Sequence, residues 1–518
     1  MPAAVSPRSS TPSRTHEGAA TVDQLTSTLS PAVSAFVSRP RHLFIGNRFV
    51  PAADGAVLAT VDPSTGRHLV DVAHAGAVDV DRAVTAARDA LDGEWGSLPA
   101  AARGLLLARL ADLVEAHAGE FAELEALNSG KPVTANEYVD VPAAIEHFRY
   151  YSGWPSKLEG GTIPVIAPDT LCYTRLEPVG VCAQIIPWNF PLMMAAWKLA
   201  PALAAGCSVV LKPAEQTPLT ALRLAELVVE AGFPAGVVNV LPGDGRTGAA
   251  LVAHPGVAKV AFTGSTEVGR EIAARAGADL KRVTLELGGK SPNIILDDAD
   301  VPAAVAGSYE GIFFNSGQSC VAGSRLYVHR SCHDQVLDGL VAATRQAAVG
   351  PALERGTQLG PLVSAEQYRR VRGYLVDGLA AGATMVAGEV PPAEPADGYY
   401  VRPVIFTDVT PDMRISREEI FGPVLVVTPF DDIDEVVALA NDTPYGLAAG
   451  VWTRSLGRAH RLAERIRAGM FYVNTWAAGD PAAPWGGVKA SGIGREMGRA
   501  NLDAYLEVKT VWAGYGQL

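Results

Sequence analysis

Two residues of this chain carry side chains that could do covalent chemistry, and each stands in an unusual local sequence. Cys320 ends an apolar stretch that turns into small, polar, turn-forming residues. Glu286 lies between two leucines, shortly before a Gly-Gly turn. A thiol in a tight loop can act as a nucleophile, and a carboxylate among apolar neighbours can act as a general base near neutral pH. Together the two residues indicate an enzyme.

Composition narrows the class of protein. At 518 residues the chain predicts two or more domains. Its 43 Lys and Arg against 55 Asp and Glu give a net charge of -12, which argues against a nucleic-acid partner. The five cysteines are scattered without a C-x-x-C pair, which argues against a disulfide framework and a structural zinc site and predicts a cytoplasmic enzyme. No apolar run reaches the ~20 residues of a membrane span, so no membrane partner is expected.

The pattern of residues changes along the chain. Residues 1–41 are rich in Ala, Ser, Thr and Pro and predict a flexible N-terminal arm, with a transit peptide as the alternative. Apolar residues at helical spacing predict helices over 80–92, 103–128 and 143–151. From Thr174 onward short apolar strands alternate with helices, and a second block of the same kind spans about 291–493. This alternation predicts parallel sheets with ligands at the carboxyl ends of the strands.

Two loops after predicted strands carry groups that could hold a nucleotide. Gly264 and Ser265 open a predicted helix, where backbone N–H groups can hold a pyrophosphate, although a helix-capping turn without a ligand looks the same. Lys212 and Glu215 follow another strand. A carboxylate there could accept hydrogen bonds from two ribose hydroxyls and repel a 2′-phosphate, and a solvated charged loop is the alternative.

Seven short runs occur together in an order that resembles the aldehyde dehydrogenase superfamily, from about residue 42 to the C-terminus. The runs are PWNFP at 187–191, KPAE at 212–215, FTGSTEVG at 262–269, LELGGK at 285–290, GQSC at 317–320, EEIFGPV at 418–424 and SGIGRE at 491–496. Seven independent matches in one order make coincidence negligible.

The resemblance implies an α/β fold with two Rossmann-like domains and a small β extension. The NAD-binding domain would comprise 42–154 and 178–288, the catalytic domain 289–502, and the oligomerisation extension 155–177 with 503–518. A strand that ends a sheet in this way needs a partner edge, so a homodimer or homotetramer is expected.

The resemblance also implies a mechanism for a small-molecule aldehyde. Cys320 would attack the aldehyde to give a thiohemiacetal, with Asn189 and the Cys320 backbone N–H holding the oxyanion. Hydride would pass to the nicotinamide and leave a thioester, which water activated by Glu286 would hydrolyse. Relatives that transfer the acyl group to coenzyme A do not need this base, so Glu286 favours the free acid as product. The coenzyme A-acylating reaction and a non-catalytic binding protein on the same fold are the alternatives.

The implied cofactor is NAD, with NADP as the alternative. Lys212 and Glu215 would hold the adenosine ribose, Gly264 and Ser265 would lie by the pyrophosphate, and Glu419 would bind the nicotinamide ribose. No histidine falls in a matched run, so no metal site is predicted. The predicted cofactor residues are Ile185, Ile186, Pro187, Trp188, Lys212, Glu215, Gly245, Phe262, Gly264, Ser265, Val268, Leu287, Glu419 and Phe421.

The predicted substrate tunnel is aromatic, and its composition leaves the aldehyde open. Trp485 stands where the family more commonly has phenylalanine. In this it is similar to the residue that betaine-aldehyde and aminoaldehyde dehydrogenases carry. Aromatic faces can attract a quaternary ammonium, but they can equally pack a phenyl ring or an alkyl chain. The predicted tunnel residues are Phe190, Met194, Trp197, Phe314, Trp476 and Trp485.

Overall fold

The computed structural model describes residues 29–516, and its strands form two large sheets and two small ones. In the larger sheet five central strands run parallel, and the strands at either side are antiparallel. In spatial order its strands are Gly492–Ile493, Arg282–Glu286, Lys259–Thr263, Val181–Ile185, Ser208–Lys212, Val238–Val240, Leu43–Ile45 and Arg48–Val50.

The second large sheet is parallel except for its first strand, which pairs antiparallel with the second. In spatial order its strands are Thr384–Ala387, Val404–Thr407, Val424–Phe430, Arg325–His329, Pro292–Ile295, Ala448–Trp452 and Met470–Val473. The central strands of both sheets are almost wholly buried because helices cover both faces. The predicted α/β fold with two parallel-centred sheets is confirmed.

The helices fall into two groups that follow the two sheets. The helices of the first group are Pro31–Val37, Ala77–Asp92, Glu94–Ser97, Ala100–Ala116, Ala118–Ser129, Val133–Ala135, Val141–Ser152, Pro191–Ala205, Leu219–Ala231, Gly245–Ala253, Thr266–Ala278 and Gly498–Asp503. Those of the second group are Val301–Phe313, His333–Gln346, Ala365–Ala380, Arg414–Arg417, Ile433–Asn441 and Leu456–Arg465.

Strand register brings the functional segments to one edge of the larger sheet. Ile185 lies opposite Lys212 on one side and Phe262 on the other. Thr263 lies opposite Glu286 on the next strand. Ile185, Lys212, Thr263 and Glu286 end their strands, so the loops that follow them meet at a common edge, as expected for ligand sites of parallel sheets.

The two segments predicted to form an extension pair with each other. Leu506–Gly514 runs antiparallel to Thr170–Pro178, which in turn pairs with Thr162–Ile163. Leu506–Gly514 lies at the edge of this three-stranded sheet, and Val508 and Trp512 on it are exposed.

Two predictions about the first part of the chain need correction. The predicted flexible arm is wrong for residues 29–41, because Pro31–Val37 forms a helix that buries Val33, Phe36 and Val37. Residues 1–28 of that arm lie outside the described residues. The helix predicted over 103–128 is two helices, which break at His117, where the backbone leaves helical geometry (φ -108°, ψ 19°).

Candidate active site

The loop that carries Cys320 is built from left-handed backbone. Asn315, Ser316 and Gly317 have φ of 52°, 54° and 71° in succession. Residues other than glycine rarely adopt this backbone conformation, so the surrounding structure must hold it in place. The Ser316 hydroxyl does so by donating to the Gly360 carbonyl over 2.7 Å.

Gln318 fixes the same loop from inside, a role that sequence reasoning missed. Its Oε1 accepts a hydrogen bond from the Val363 N–H over 3.0 Å, and its Nε2 donates to the Asn315 carbonyl over 3.2 Å. The loop that carries Cys320 is thereby tied to a segment more than forty residues away. The available signal was its place beside Cys320 in the matched run.

Asn189 is joined to this loop directly. Its Nδ2 donates to the Gln318 backbone carbonyl over 2.9 Å, and the Asn189 backbone carbonyl accepts from Asn315 Nδ2 over 3.1 Å. Asn189 is only 4% exposed. The carboxamide therefore lies within two residues of Cys320, close to where an oxyanion would form.

The surroundings of Cys320 favour the thiol over the thiolate. Burial, followed by the negative charges of Glu419 and Glu286, raises its pKa to about 12. The thiolate is the form that attacks a carbonyl. Cys320 therefore needs a base before it can react.

Glu286 ends a strand of the larger sheet and has an environment suited to a base. Neither carboxylate oxygen has a hydrogen-bond partner among residues 29–516. Burial, together with the nearby charge of Glu496, raises the pKa of Glu286 well above its ordinary value, while Lys198 and Arg495 act in the opposite direction. A carboxyl with a raised pKa can take up a proton near neutral pH.

The charged partners of Glu286 were not found from the sequence. Lys198 Nζ and Glu496 Oε1 form a buried ion pair at 2.5 Å. Lys198 gave a signal that could have been read, because it is the only charged residue in the apolar helix Pro191–Ala205.

Glu419 lies against the Gly-Gly turn that follows Glu286. Its Oε1 accepts from the Gly289 N–H over 2.9 Å. A side-chain carbon added at Gly288 would come within 2.2 Å of its Oε2, so a larger residue there would push the Glu419 carboxylate out of place. Burial raises the pKa of Glu419 to about 7. Two residues on, Phe421 has a left-handed φ of 59°, and its ring meets the edge of Trp188 with centroids 5.2 Å apart.

The predicted adenosine-side residues meet at the strand ends. Lys212 Nζ lies 3.7 Å from Glu215 Oε2 and donates to the Pro213 carbonyl. A side-chain carbon added at Gly248 would contact both Lys212 and Ile185, so the helix that begins at Gly245 lies over them. Around Gly245 itself the space is open, since an added carbon would find no atom within 4 Å.

The predicted pyrophosphate turn is held by its own side chain. Ser265 Oγ accepts from the Val268 N–H over 3.3 Å and so caps the helix Thr266–Ala278. An added carbon at Gly264 would clash with the ring of Phe262. A carbon added at Gly269 would clash with Leu287, which packs against this helix, while Val268 is exposed. Ile186 and Pro187 continue from the strand that ends at Ile185.

The predicted tunnel residues form two pairs of aromatic rings. Phe190 and Phe314 stack with centroids 6.3 Å apart, and Trp197 meets Trp485 edge to face at 5.3 Å. Met194 packs in the same core cluster as these four. Trp485 and Trp476 also contact the cluster that includes Cys320, and Trp476 donates to the Val321 carbonyl over 3.1 Å.

Two residues missed from the sequence cover faces of these rings. His147 stacks on Trp197 with centroids 5.3 Å apart, and burial lowers its pKa to about 4. Lys131 Nζ lies 3.7 Å from the centroid of Phe190. Neither residue belongs to a matched run, so the sequence offered no local signal for them.

Metal-binding clusters and membrane-spanning helices are absent from the described residues. Between residues 29 and 516, no group of three or more His, Cys, Asp or Glu is placed to hold a metal. In the same range no helix is both long and apolar enough to cross a bilayer. All five cysteines are free, and the four other than Cys320 are buried.

Comparison with known proteins decides the family. Residues 49–511 match the sequence profile of the Aldehyde dehydrogenase family. The chain belongs to this family. An NAD⁺ complex of aldehyde dehydrogenase from Bacillus cereus is 50% identical, with a TM-score of 0.92, and the match covers 94% of this chain and 99% of that one. The family predicted from the seven runs is confirmed.

Two further aldehyde dehydrogenases are similar to this chain in sequence. The human mitochondrial aldehyde dehydrogenase is 49% identical over 474 residues, which cover 91% of this chain and 91% of that protein. The betaine aldehyde dehydrogenase of Staphylococcus aureus, solved with NAD⁺, is 36% identical with a TM-score of 0.90, covering 95% of this chain and 98% of that one.

Proposed function

We propose that this aldehyde dehydrogenase oxidises an aldehyde to the free carboxylic acid with NAD as hydride acceptor, using Cys320 as nucleophile. The observation that carries the proposal is the meeting of three groups around one loop. Asn189 is hydrogen-bonded to the backbone two residues before Cys320, and Glu286 and Glu419 lie close enough to raise the pKa of the thiol.

The strand-end residues fit NAD as cofactor. Lys212 is 4% exposed and has a carbonyl and Glu215 as its polar neighbours, so its ammonium can reach ribose hydroxyls at the open surface of Gly245. Ser265 presents the start of a helix, which favours a phosphate. Glu419 and the Phe421 ring would hold the nicotinamide end. When bound, NAD supplies the acceptor for the hydride; the solved relatives from B. cereus and S. aureus contain it.

Cys320 and Asn189 would perform the first half of the reaction. Once its proton is removed, the sulfur forms a bond to the aldehyde carbon and the carbonyl oxygen takes up the electron pair. The Asn189 amide and the Cys320 backbone N–H would donate to that oxygen. A single donor of this kind contributes about 3 kcal/mol to transition-state stability. Loss of the hydride then leaves a thioester on Cys320.

Glu286 would perform the second half. Its carboxylate would take a proton from water as the water oxygen attacks the thioester carbon, and the C–S bond would break to release the acid and the thiol. Both oxygens of Glu286 lack a protein partner among residues 29–516, so they are available for this water. The same base can take the proton from Cys320 at the start. This role distinguishes hydrolysis from transfer to coenzyme A.

For the substrate, we propose an uncharged aliphatic or aromatic aldehyde over betaine aldehyde or an aminoaldehyde. Binding a quaternary ammonium requires free aromatic faces. One face of Trp197 is covered by His147, and Phe190 has Lys131 on its ring and Phe314 stacked beside it. The higher identity to the human mitochondrial enzyme than to the betaine aldehyde dehydrogenase agrees with this preference.

For assembly and location, we propose a cytoplasmic homodimer or homotetramer joined through the extension. The exposed Val508 and Trp512 on its edge strand support this assembly, and the five free cysteines suit a reducing compartment. We also propose that the NAD-binding domain ends at residue 288 and that the catalytic domain begins at residue 289. Analytical ultracentrifugation of the wild type and Trp512→Glu would test it, and a monomeric wild type would refute it.

The test of function is kcat/KM for betaine aldehyde, 4-aminobutyraldehyde, phenylacetaldehyde and hexanal, each with NAD and with NADP. We expect phenylacetaldehyde and hexanal with NAD to give the highest values. A preference for betaine aldehyde would overturn the substrate proposal, and acyl-CoA as the main product in the presence of coenzyme A would overturn hydrolysis. Cys320→Ala should abolish oxidation while NAD binding survives, and turnover in that variant would refute the mechanism.

A further inference from the structure

A buried cluster of charges lies behind Asn189 and Phe190 and has no part in the chemistry proposed above. Its members are Glu125, Lys131 and Asp140, which are 0%, 1% and 0% exposed. Lys131 forms an ion pair with Asp140. Burial of such groups carries a large desolvation cost, so a cluster with one cation and two carboxylates is a poor source of stability alone.

Glu125 reaches the start of the helix that follows Asn189. Its Oε1 accepts from the Leu192 N–H over 3.0 Å and from the Thr220 hydroxyl over 2.8 Å. Leu192 is the second residue of the helix Pro191–Ala205, whose preceding residue provides no side-chain cap. The first N–H groups of a helix need acceptors from elsewhere, and a carboxylate there also suits the helix dipole. Glu125 therefore holds this helix start from a separate part of the chain.

Lys131 acts on the adjacent residue. Its ammonium lies 3.7 Å from the centroid of Phe190, and Asp140 holds the ammonium in that place. Phe190 in turn stacks on Phe314, which precedes the Cys320 loop. Two contacts from one buried cluster thus reach the segment from Phe190 to Leu192, one through the Leu192 N–H and one through the Phe190 ring.

We propose that Glu125 is a positioning residue for aldehyde oxidation, which fixes the start of the helix Pro191–Ala205 so that the Asn189 amide faces the oxygen of the aldehyde on Cys320. The inference rests on the proposed function. Asn189 is held on the loop side by the Gln318 carbonyl at 2.9 Å and by Asn315 Nδ2 at 3.1 Å, and on the other side it runs directly into the start of this helix. A displacement of about 1 Å at a reacting group can lower the rate on the order of 10²-fold.

The test is a double-mutant cycle on kcat/KM with hexanal and NAD, using Glu125→Ala, Asn189→Ala and the double variant. We expect Glu125→Ala to lose about tenfold to 10²-fold and Asn189→Ala about 10² to 10³-fold. The double variant should stay within about threefold of Asn189→Ala, because Glu125 acts through that residue. The NAD dissociation constant should change by less than about threefold. Losses that multiply in the double variant would overturn the proposal.

Two variants separate positioning from general damage. Glu125→Gln keeps an oxygen for the Leu192 N–H and should retain kcat/KM within about threefold of wild type. Asp432→Ala is the matched control. Asp432 caps the helix Ile433–Asn441 by accepting hydrogen bonds from the Asp434 and Glu435 N–H groups, and its replacement should leave kcat/KM unchanged. Failure of Glu125→Gln to retain activity would count against the proposal.

Thr220→Val gives a test that does not depend on the folding of Glu125→Ala. It removes the second donor to Glu125 Oε1 and should lower kcat/KM by several-fold, again without a further loss in the Asn189→Ala background. The proposal would be overturned if Thr220→Val left kcat/KM unchanged and the losses of Glu125→Ala and Asn189→Ala multiplied in the double variant. A wild type that reduces no NAD with any aldehyde would refute the proposed function itself, whereas an active wild type with a multiplicative cycle would refute only the role of Glu125.

Discussion

Replacement of Gly317 by alanine should disable the nucleophile loop without touching a reacting group. Gly317 stands three residues before Cys320 with a left-handed φ of 71°, where an alanine costs about 1–2 kcal/mol. An added side-chain carbon would also lie 2.1 Å from the Gly422 carbonyl oxygen. Ordinary contact begins near 3.4 Å, so one of the two segments must move by about 1.3 Å.

The displaced segments carry Cys320 on one side and Phe421 on the other. A shift of this size at a reacting group corresponds to a loss of about 10²-fold in kcat/KM, or about 2.7 kcal/mol of transition-state stabilisation. The assay is kcat/KM for hexanal with NAD, together with the thermal melting temperature of the same preparations.

Gly55 provides a matched control for this substitution. Its φ is 73°, but an alanine there would find no atom within 4 Å. Gly55→Ala should therefore lose stability to a similar backbone strain and keep full activity. A Gly317→Ala enzyme with kcat/KM within threefold of wild type would refute the reasoning, and so would an equal loss of activity in Gly55→Ala.

Three further predictions concern Glu286, the pH profile and the cofactor. Glu286→Gln should lower steady-state turnover by about 10²-fold or more, because it removes the base proposed for Cys320 and for the hydrolytic water; absorbance of NADH would show it, and turnover near that of the wild type would contradict it. In the proposed mechanism Cys320 and Glu286 both act deprotonated, and burial raises the pKa of both groups, so a higher pH increases the fraction in the active form; kcat/KM should rise from pH 6 to pH 9, and a falling profile would contradict this assignment. Glu215→Ala should raise the NADP-to-NAD ratio of kcat/KM about tenfold by removing a charge that repels a 2′-phosphate, an effect of about 1.4 kcal/mol; the exposed Glu230→Ala is the control, and an unchanged ratio in Glu215→Ala would contradict the prediction.

The sequence predicted the family, the α/β class and the central residues, because the motifs that carry them are local. The loops after the strands ending at Ile185, Lys212 and Thr263 could be placed at one sheet edge because parallel strands share a direction. The extension could be anticipated from its two segments, and their pairing appears in the structure. By contrast, helical periodicity ran across His117 without a sign of the break, since apolar spacing continues on both sides.

Residues whose role depends on distant partners were not predicted. Glu125 touches Leu192, and His147 stacks on Trp197, across separations of 50 residues or more that no spacing rule reports. The left-handed run before Cys320 was also hidden, because Asn315 and Ser316 are ordinary residues until tertiary contacts hold them at positive φ.

The sequence by itself therefore determined which chemical groups this aldehyde dehydrogenase has, and in which loops Cys320 and Glu286 stand. Only the tertiary structure decided their state and surroundings. Burial raises the pKa of both groups, His147 stacks on one face of Trp197, and the Lys131 ammonium lies against the Phe190 ring. The physical reason is that residue type and short spacing fix which bonds can form, whereas desolvation and ring contacts arise from groups that only folding brings together.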